Sequence, residues 1–298
     1  MSAAWVAGTT RARALARRRL GKAGARRVAL AGSAQEVVSA LASTPYGHDV
    51  RAGQSLAEAQ QSVLACLLWH LRILAGWLPS EGTVMIRLLA RWFEIANVDE
   101  ILAGGGRRFS LGALATAWPR VRALTAPADI RAALAASPWG DPGGARPRQI
   151  QIGMRLSWAC QVSDRIGSAS AWAAGAAALL VAREHFLEGR GVEPPIRGKA
   201  ESLLGRRALD ATSLPGMTAC LPFPARWALT GLERPEDLWR GEPRWWERVE
   251  RDGTAMLFGS SFGPSPVLGT VAVLAADAWR VQRAGETAVH QGDPDELA

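Results

Sequence analysis

Apolar residues recur at every third or fourth position over long stretches of this chain, and sustained apolar–polar alternation is nowhere visible. Leu56, Val63, Leu67, Leu71, Leu74 and Leu78 form one such stripe, interrupted at Gln60, and predict an amphipathic helix over residues 55–77. Pro79-Ser80 restarts the chain with Ser80 as a candidate N-cap. A second helix then runs to about Leu102, where Gly104-Gly105-Gly106 stops it. Two more long helices are predicted over residues 170–188 and 264–286, the latter entered by a similar Pro-Ser signal. Acidic residues occupy comparable points in these three helices: Glu94, Glu184 and Asp277. Residues 10–30 read as a basic helix broken near Gly21–Gly24, residues 141–147 as a loop and residues 189–195 as a linker.

One shorter pattern is written twice. Residues 33–49 (SAQEVVSALASTPYGHD) return as residues 126–142 (APADIRAALAASPWGDP). Ala40/Ala133, Leu41/Leu134, Ala42/Ala135, Pro45/Pro138 and Gly47/Gly140 are identical. Glu36/Asp129, Val37/Ile130, Thr44/Ser137 and Tyr46/Trp139 keep their chemistry. Each copy predicts a short helix with one apolar face, ended by a Pro-aromatic-Gly turn because proline cannot continue a helix. A period this long points to duplicated subdomains rather than to a solenoid. The best sequence candidate for a third copy is residues 234–246 (RPEDLWRGEPRWW). The expected architecture is therefore all-α, in three helical units over residues 1–105, 106–190 and 191–298.

Composition sharpens this reading in two places. Ala and Leu dominate and β-branched alternation is scarce, which favours helices. Only Lys22 and Lys199 are lysines against a large excess of arginine, a bias that makes much of the arginine count uninformative. The net charge of +8 is uneven. No acid precedes Glu36, while Arg11, Arg13, Arg17, Arg18, Arg19, Lys22, Arg26 and Arg27 account for the whole excess. Glu286, Asp293, Asp295 and Glu296 give the other end an acidic tail. No run reaches about 18 uninterrupted apolar residues, so no membrane span is expected. Cys66, Cys160 and Cys220 lie far apart and are expected to be reduced and buried, consistent with a cytoplasmic protein.

Candidate chemistry is sparse. The run Gly104–Arg108 lacks a preceding strand and a following Gly-Lys-Ser/Thr, so a helix stop outweighs a phosphate cradle. His48, His70, His185 and His290 are dispersed, with His70 expected as a core or boundary residue. Motifs for metal, redox or hydrolase chemistry are missing, so neither cofactor nor metal is implied and a non-enzymatic role is expected. Trp69, Trp92 and Trp279 read as core, and Trp245-Trp246 as the most surface-like pair. The basic N-terminal helix reads either as a solvated face or as a docking surface for acidic protein or lipid.

Three stretches resemble one family. WVAGTTRARALARRRL (residues 5–20) is similar to an opening aromatic followed by an Arg-x-Arg-Ala-Leu helix. LASTPY (residues 41–46) is similar to Leu-x-x-Thr-x-Tyr, with Leu41, Thr44 and Tyr46 at the motif positions. FEIANVDEIL (residues 93–102) resembles an acid-Ile-x-Asn-Leu-Lys-x-Ile-Leu helix, with Glu94 at the acid and Asn97 at the asparagine. The family so resembled is that of the central-stalk adaptor of V-type and archaeal A-type rotary ATPases. Asp99 stands where the family usually has lysine, and Trp5 where it has tyrosine.

The resemblance implies a funnel of three similar helical domains around a pseudo-threefold axis, without an active site. It implies a rotor adaptor, peripheral at the cytoplasmic face, that seats on the membrane c-ring and receives the central shaft of the soluble ATPase. Torque passing through it would couple ATP turnover to proton or sodium transport. On this reading Arg11, Arg13, Arg17 and Arg18 are the expected partner-docking residues. Two alternatives remain: a stand-alone helical interaction scaffold, and a nucleic-acid-binding helical protein using the basic helix.

Overall fold

The computed structural model describes residues 3–259 and 261–290, and Asp293, Asp295 and Glu296 of the expected acidic tail lie outside them. Among them the fold is all-helical, with no strand. Helices α1 (Ala3–Ala16), α2 (Gly21–Ala29) and α3 (Ala34–Ala42) open the chain, followed by a 3-10 turn over Pro45–His48. Helices α4 (Leu56–Gly76) and α5 (Ser80–Leu102) come next. Short helices α6 (Trp118–Val121) and α7 (Pro127–Ala135) lead into α8 (Pro147–Arg165) and α9 (Ser170–Ala182), whose last turn continues as a π-type turn over Arg183–Leu187. The order then repeats in kind. Short helices α10 (Pro194–Leu204), α11 (Arg206–Leu209), α12 (Leu214–Cys220) and α13 (Phe223–Arg226) precede the long α14 (Gly241–Phe258) and α15 (Pro264–His290).

The expected long helices are present within a few residues. Ser55 closes a capping box with Glu58 at the start of α4, satisfying two backbone N–H groups that a helix N-terminus leaves open. Gly104 and Gly105 return their N–H groups to the carbonyls of Ile101 and Glu100, at 3.0 and 2.8 Å. The glycine run is therefore a helix stop. The basic segment breaks at Arg17–Leu20, slightly before the expected glycines, and residues 234–246 are not a third copy of the repeated helix. They form a 3-10 stretch (Pro235–Arg240) leading into α14. The short helix capped by a serine in this part of the chain is α12, where Ser213 accepts from Gly216 N.

The chain divides into two compact units. The first runs to Thr83 and resumes at Arg248; the second comprises Val84–Glu247. In the first, α15 is the central element and packs along α1, α2, α3 and α4. Its burial is almost continuous from Pro266 to Ala288, which small residues make possible. In the second unit, Ile95, Val98 and Ile101 of α5 meet Val121, Ile130, Leu134, Trp139, Ile150 and Met154 in one core. The α8–α9 hairpin packs there against α10, with α13 also on α9.

Candidate functional site

The two written copies fold alike down to single hydrogen bonds. Val37 and Leu41 are buried in the first copy, Ile130 and Leu134 in the second. Thr44 Oγ1 donates to Leu41 O at 2.6 Å and accepts from Tyr46 N at 3.2 Å. Ser137 Oγ donates to Leu134 O at 2.6 Å and accepts from Trp139 N at 3.2 Å. In both cases a hydroxyl closes the helix and turns the following aromatic inward, since proline at the next position offers no N–H.

Each inward aromatic meets a buried carboxylate from a long helix. In the first unit Asp277 of α15 accepts from Tyr46 Oη at 2.8 Å and from the N–H groups of Leu20 and Gly21 at 2.8 and 2.7 Å. In the second unit Glu94 of α5 accepts from Trp139 Nε1 and from the N–H groups of Thr116 and Ala117, each at 2.7 Å. Asp277 and Glu94 are 0 and 1 % exposed. A carboxylate so buried needs several donors to remain acceptable, and each receives three: the aromatic side chain and two backbone N–H groups at or just before the start of a helix. Burial, reinforced by the Asp277 charge, holds the Tyr46 phenol well above its ordinary pKa. Arg91 adds a cation to the second site, with its guanidinium 5.5 Å from the Trp139 ring centre and Nε donating to Thr116 Oγ1 at 3.1 Å.

Glu184, third in the series, is also buried but differs in its partners. It sits in the π-type turn and pairs with Arg148, with Arg190 Nε at 3.8 Å. The Pro-aromatic pair after α12 is Pro222-Phe223, and Phe223 is 87 % exposed. Phenylalanine has no donor to offer a carboxylate.

The remaining family-motif position, Asn97, is fully buried and bonds both polar groups of Phe109: Nδ2 donates to its carbonyl at 2.9 Å, and its N–H donates to Oδ1 at 2.6 Å. Leu41, Thr44, Tyr46, Glu94 and Asn97 are thus all built into the interior or its turns. Asp99, the departure from the family pattern, is ion-paired with Arg155 at 2.7 Å.

The basic segment divides into two kinds of arginine. Arg13 donates to the carbonyls of Leu257, Gly259 and Ser261 and so closes the C-terminal end of α14. Arg11 is half-buried with its guanidinium 5.9 Å from the Trp77 ring centre, and its Nε is buried without an acceptor among the described residues. Arg17 and Arg18 are exposed. The interior roles of Arg11 and Arg13 leave Arg17 and Arg18 as the members of the expected docking set that face solvent. Beneath Arg18 lies a cavity of about 10 Å³, enough for one water, bordered by Tyr46, Cys66 and His70. Burial, aided by Arg18, lowers the His70 pKa to about 4, and burial pushes the Cys66 thiol up to about 11.

Other sequence candidates resolve individually. Cys66 is buried and Cys160 half-buried, but Cys220 is exposed, against expectation. Trp92 is likewise 44 % exposed rather than core, lying near Trp158 and the Arg155 guanidinium. Trp245 spends its N–H on Trp172 O at 2.8 Å. His48 contacts Asp49, and His290 contacts Glu286 O. Among the described residues no group of His, Cys, Asp and Glu is placed to hold a metal ion, and no helix is long and apolar enough to cross a membrane. In comparisons with known proteins, no family model and no curated protein matches the chain.

Proposed function

We propose that this protein is a non-catalytic rotor adaptor of the V/A-type ATPase kind, linking a soluble ATPase shaft to a membrane c-ring. The observation that carries the reading is the serial recurrence of one arrangement. Short helices lead to a pair of long ones, α4–α5, α8–α9 and α14–α15, and the second helix of each pair, or the turn that continues it, holds a buried acid: Glu94, Glu184 or Asp277. The first and last acids receive the aromatic of the repeated turn. Tyr46 and Glu94 lie in two of the three stretches, 41–46 and 93–102, on which the resemblance to the central-stalk adaptor rests. Three similar helical domains in a pseudo-threefold funnel follow from that reading. Such an adaptor needs stiffness rather than a reactive cleft, and buried carboxylates held by three donors supply local stiffness.

The docking element on this reading is the exposed part of the basic segment, Arg17 and Arg18, because charge complementarity fixes the register of two partners without a large dry interface. The test is co-expression with rotary-ATPase shaft and c-ring proteins from the same source, followed by co-purification across a salt series. The adaptor reading expects recovery of a stoichiometric assembly. Arg17→Glu with Arg18→Glu should weaken it, most visibly at low salt, where exposed charges are least screened. If wild-type protein fails to recover either partner at every salt concentration, the chain is not such an adaptor.

A further inference from the structure

We infer that a groove beside the basic segment is a receptor for an acidic protein segment carrying an apolar side chain between its carboxylates. The inference rests on the docking role proposed for the basic segment, but not on the identity of a rotary assembly. Arg13, Arg17, Arg19 and Leu20 line it together with Leu257 and Phe258 at the end of α14, around a volume of about 630 Å³. That volume falls within the usual range of ligand clefts, about 300–1,000 Å³.

Three features define the occupant. The lining carries Arg13, Arg17 and Arg19 and no acid, and Asp277 behind Leu20 and Gly21 is buried and held by its own donors, so the charge the groove presents is positive. Arg13 is committed to the carbonyls of Leu257, Gly259 and Ser261, whereas no hydrogen-bond or ion-pair acceptor reaches Arg17 or Arg19 among the described residues. Phe258 is 77 % exposed beside them, flanked by Leu257 and Leu20. Two open guanidinium groups next to an exposed aromatic match carboxylates flanking an apolar anchor, the pairing in which arginine and aromatic residues dominate protein interfaces. A nucleic-acid duplex calls for a track of phosphate contacts longer than two arginines. A protein segment fits both the concavity and the mixed chemistry.

The experiment uses the full-length protein and a fluorescein-labelled peptide of about 12 residues built from Glu-Leu-Glu-Glu repeats, read by fluorescence anisotropy at physiological salt. Saturable binding is expected. Arg17→Glu with Arg19→Glu, and separately Phe258→Ala, should each weaken it about tenfold or more, with circular dichroism unchanged. Should the charge-reversed variant fold poorly, Arg17→Gln with Arg19→Gln gives the same reading. A peptide with every Leu replaced by Ser should bind as weakly as native peptide binds Phe258→Ala protein. Absence of binding to wild type overturns the proposal. So does binding that responds to the arginine changes but not to Phe258→Ala or to loss of leucine, because charge alone would then suffice. Displacement of the peptide by phosphatidylglycerol vesicles or duplex RNA at lower concentration than by unlabelled peptide overturns it in favour of lipid or nucleic acid. Peptide binding without recovery of shaft or c-ring proteins would leave this site standing and remove the rotary reading.

Discussion

At the scale of single residues, the two copies achieve one geometry with different atoms. Tyr46 and Trp139 share little shape, but each places one donor on a buried carboxylate from a long helix. Their glycines differ in the reason they are needed. Gly140 has φ +71°, where a side chain is strained, whereas a Cβ on Gly47 would lie 2.1 Å from Ala42 O. Removing the donor alone should expose the energetic value of the contact. Tyr46→Phe deletes one hydroxyl and leaves Asp277 short of a donor, a change expected to cost about 1–3 kcal/mol in urea unfolding. In a double-mutant cycle with Asp277→Asn the two changes should be non-additive, since they share the contact. Additivity would mean that the hydroxyl is satisfied elsewhere. His70 offers a pH test. Its pKa is lowered to about 4 in the fold, against about 6.5 for a free histidine, so the unfolded chain binds the proton first as pH falls. Stability should therefore drop between about pH 6.5 and 4. His70→Gln should flatten that part of the profile by on the order of 1 kcal/mol or more. An unchanged slope would assign the acid sensitivity to other groups.

At the scale of elements, packing rather than propensity decides which helices are indispensable. Leu41 and Leu134 are 3 and 0 % exposed on short helices that they share with buried Val37 and Val38, and with buried Ile130. Leu41→Asp or Leu134→Asp should cost several kcal/mol, because each forces an unpaired charge into a packed face. An unchanged melting temperature in either variant would place that helix outside the core. Where α14 crosses α15, a Cβ on Gly269 would lie 2.4 Å from Gly253 O and 2.8 Å from Leu257 N. Backbone atoms cannot swing aside as side chains do, so Gly269→Ala should destabilise by about 1–3 kcal/mol. Gly198→Ala on α10 meets nothing within 4 Å and should be neutral or stabilising by up to about 1 kcal/mol. Reversed effects in the urea midpoints of this pair would contradict the close crossing. Helices α4, α5, α9 and α15 are legible in the sequence because their stripes, caps or glycine stops are local signals, whereas the long helices α8 and α14 are not among the predicted elements. The third short helix is not, because α12 lacks the Pro-aromatic-Gly ending and is followed instead by Pro222-Phe223-Pro224. The acids at Glu94 and Asp277 are visible as a series, but their partners are not. Tyr46 and Asp277 are 231 positions apart, and no periodicity reports such a pairing. Arg13 is legible as a charge, yet its acceptors Leu257 and Gly259 lie 244 and 246 positions away, so its structural use cannot be read from its neighbours.

At the scale of the whole molecule, the first unit is discontinuous: its opening helices are completed by chain that arrives after the second unit has been made. The completion is specific. Asp277 binds the start of α2 through Leu20 and Gly21 and the repeated turn through Tyr46, while α15 packs along α1 to α4. The second unit has its own acid, its own aromatic and its own core, all within Val84–Glu247. Damage at Asp277 should therefore stay on one side of this division. Asp277→Asn keeps the shape but replaces a buried anion by an amide whose NH₂ faces the same donors, so two or more of the three hydrogen bonds are weakened. Native-state hydrogen exchange, which resolves sub-global opening from global unfolding, is the suitable measurement. The expected result is faster exchange at Leu20, Gly21 and through α1–α4 and α15, with protection in α7, α8 and α9 unchanged. Glu94→Gln should produce the complementary map, losing protection at Thr116, Ala117 and through α7 and α8 while sparing α1 to α3. If either variant lowers protection evenly across both units, the chain opens as one cooperative body and the two carboxylates are not separate fasteners.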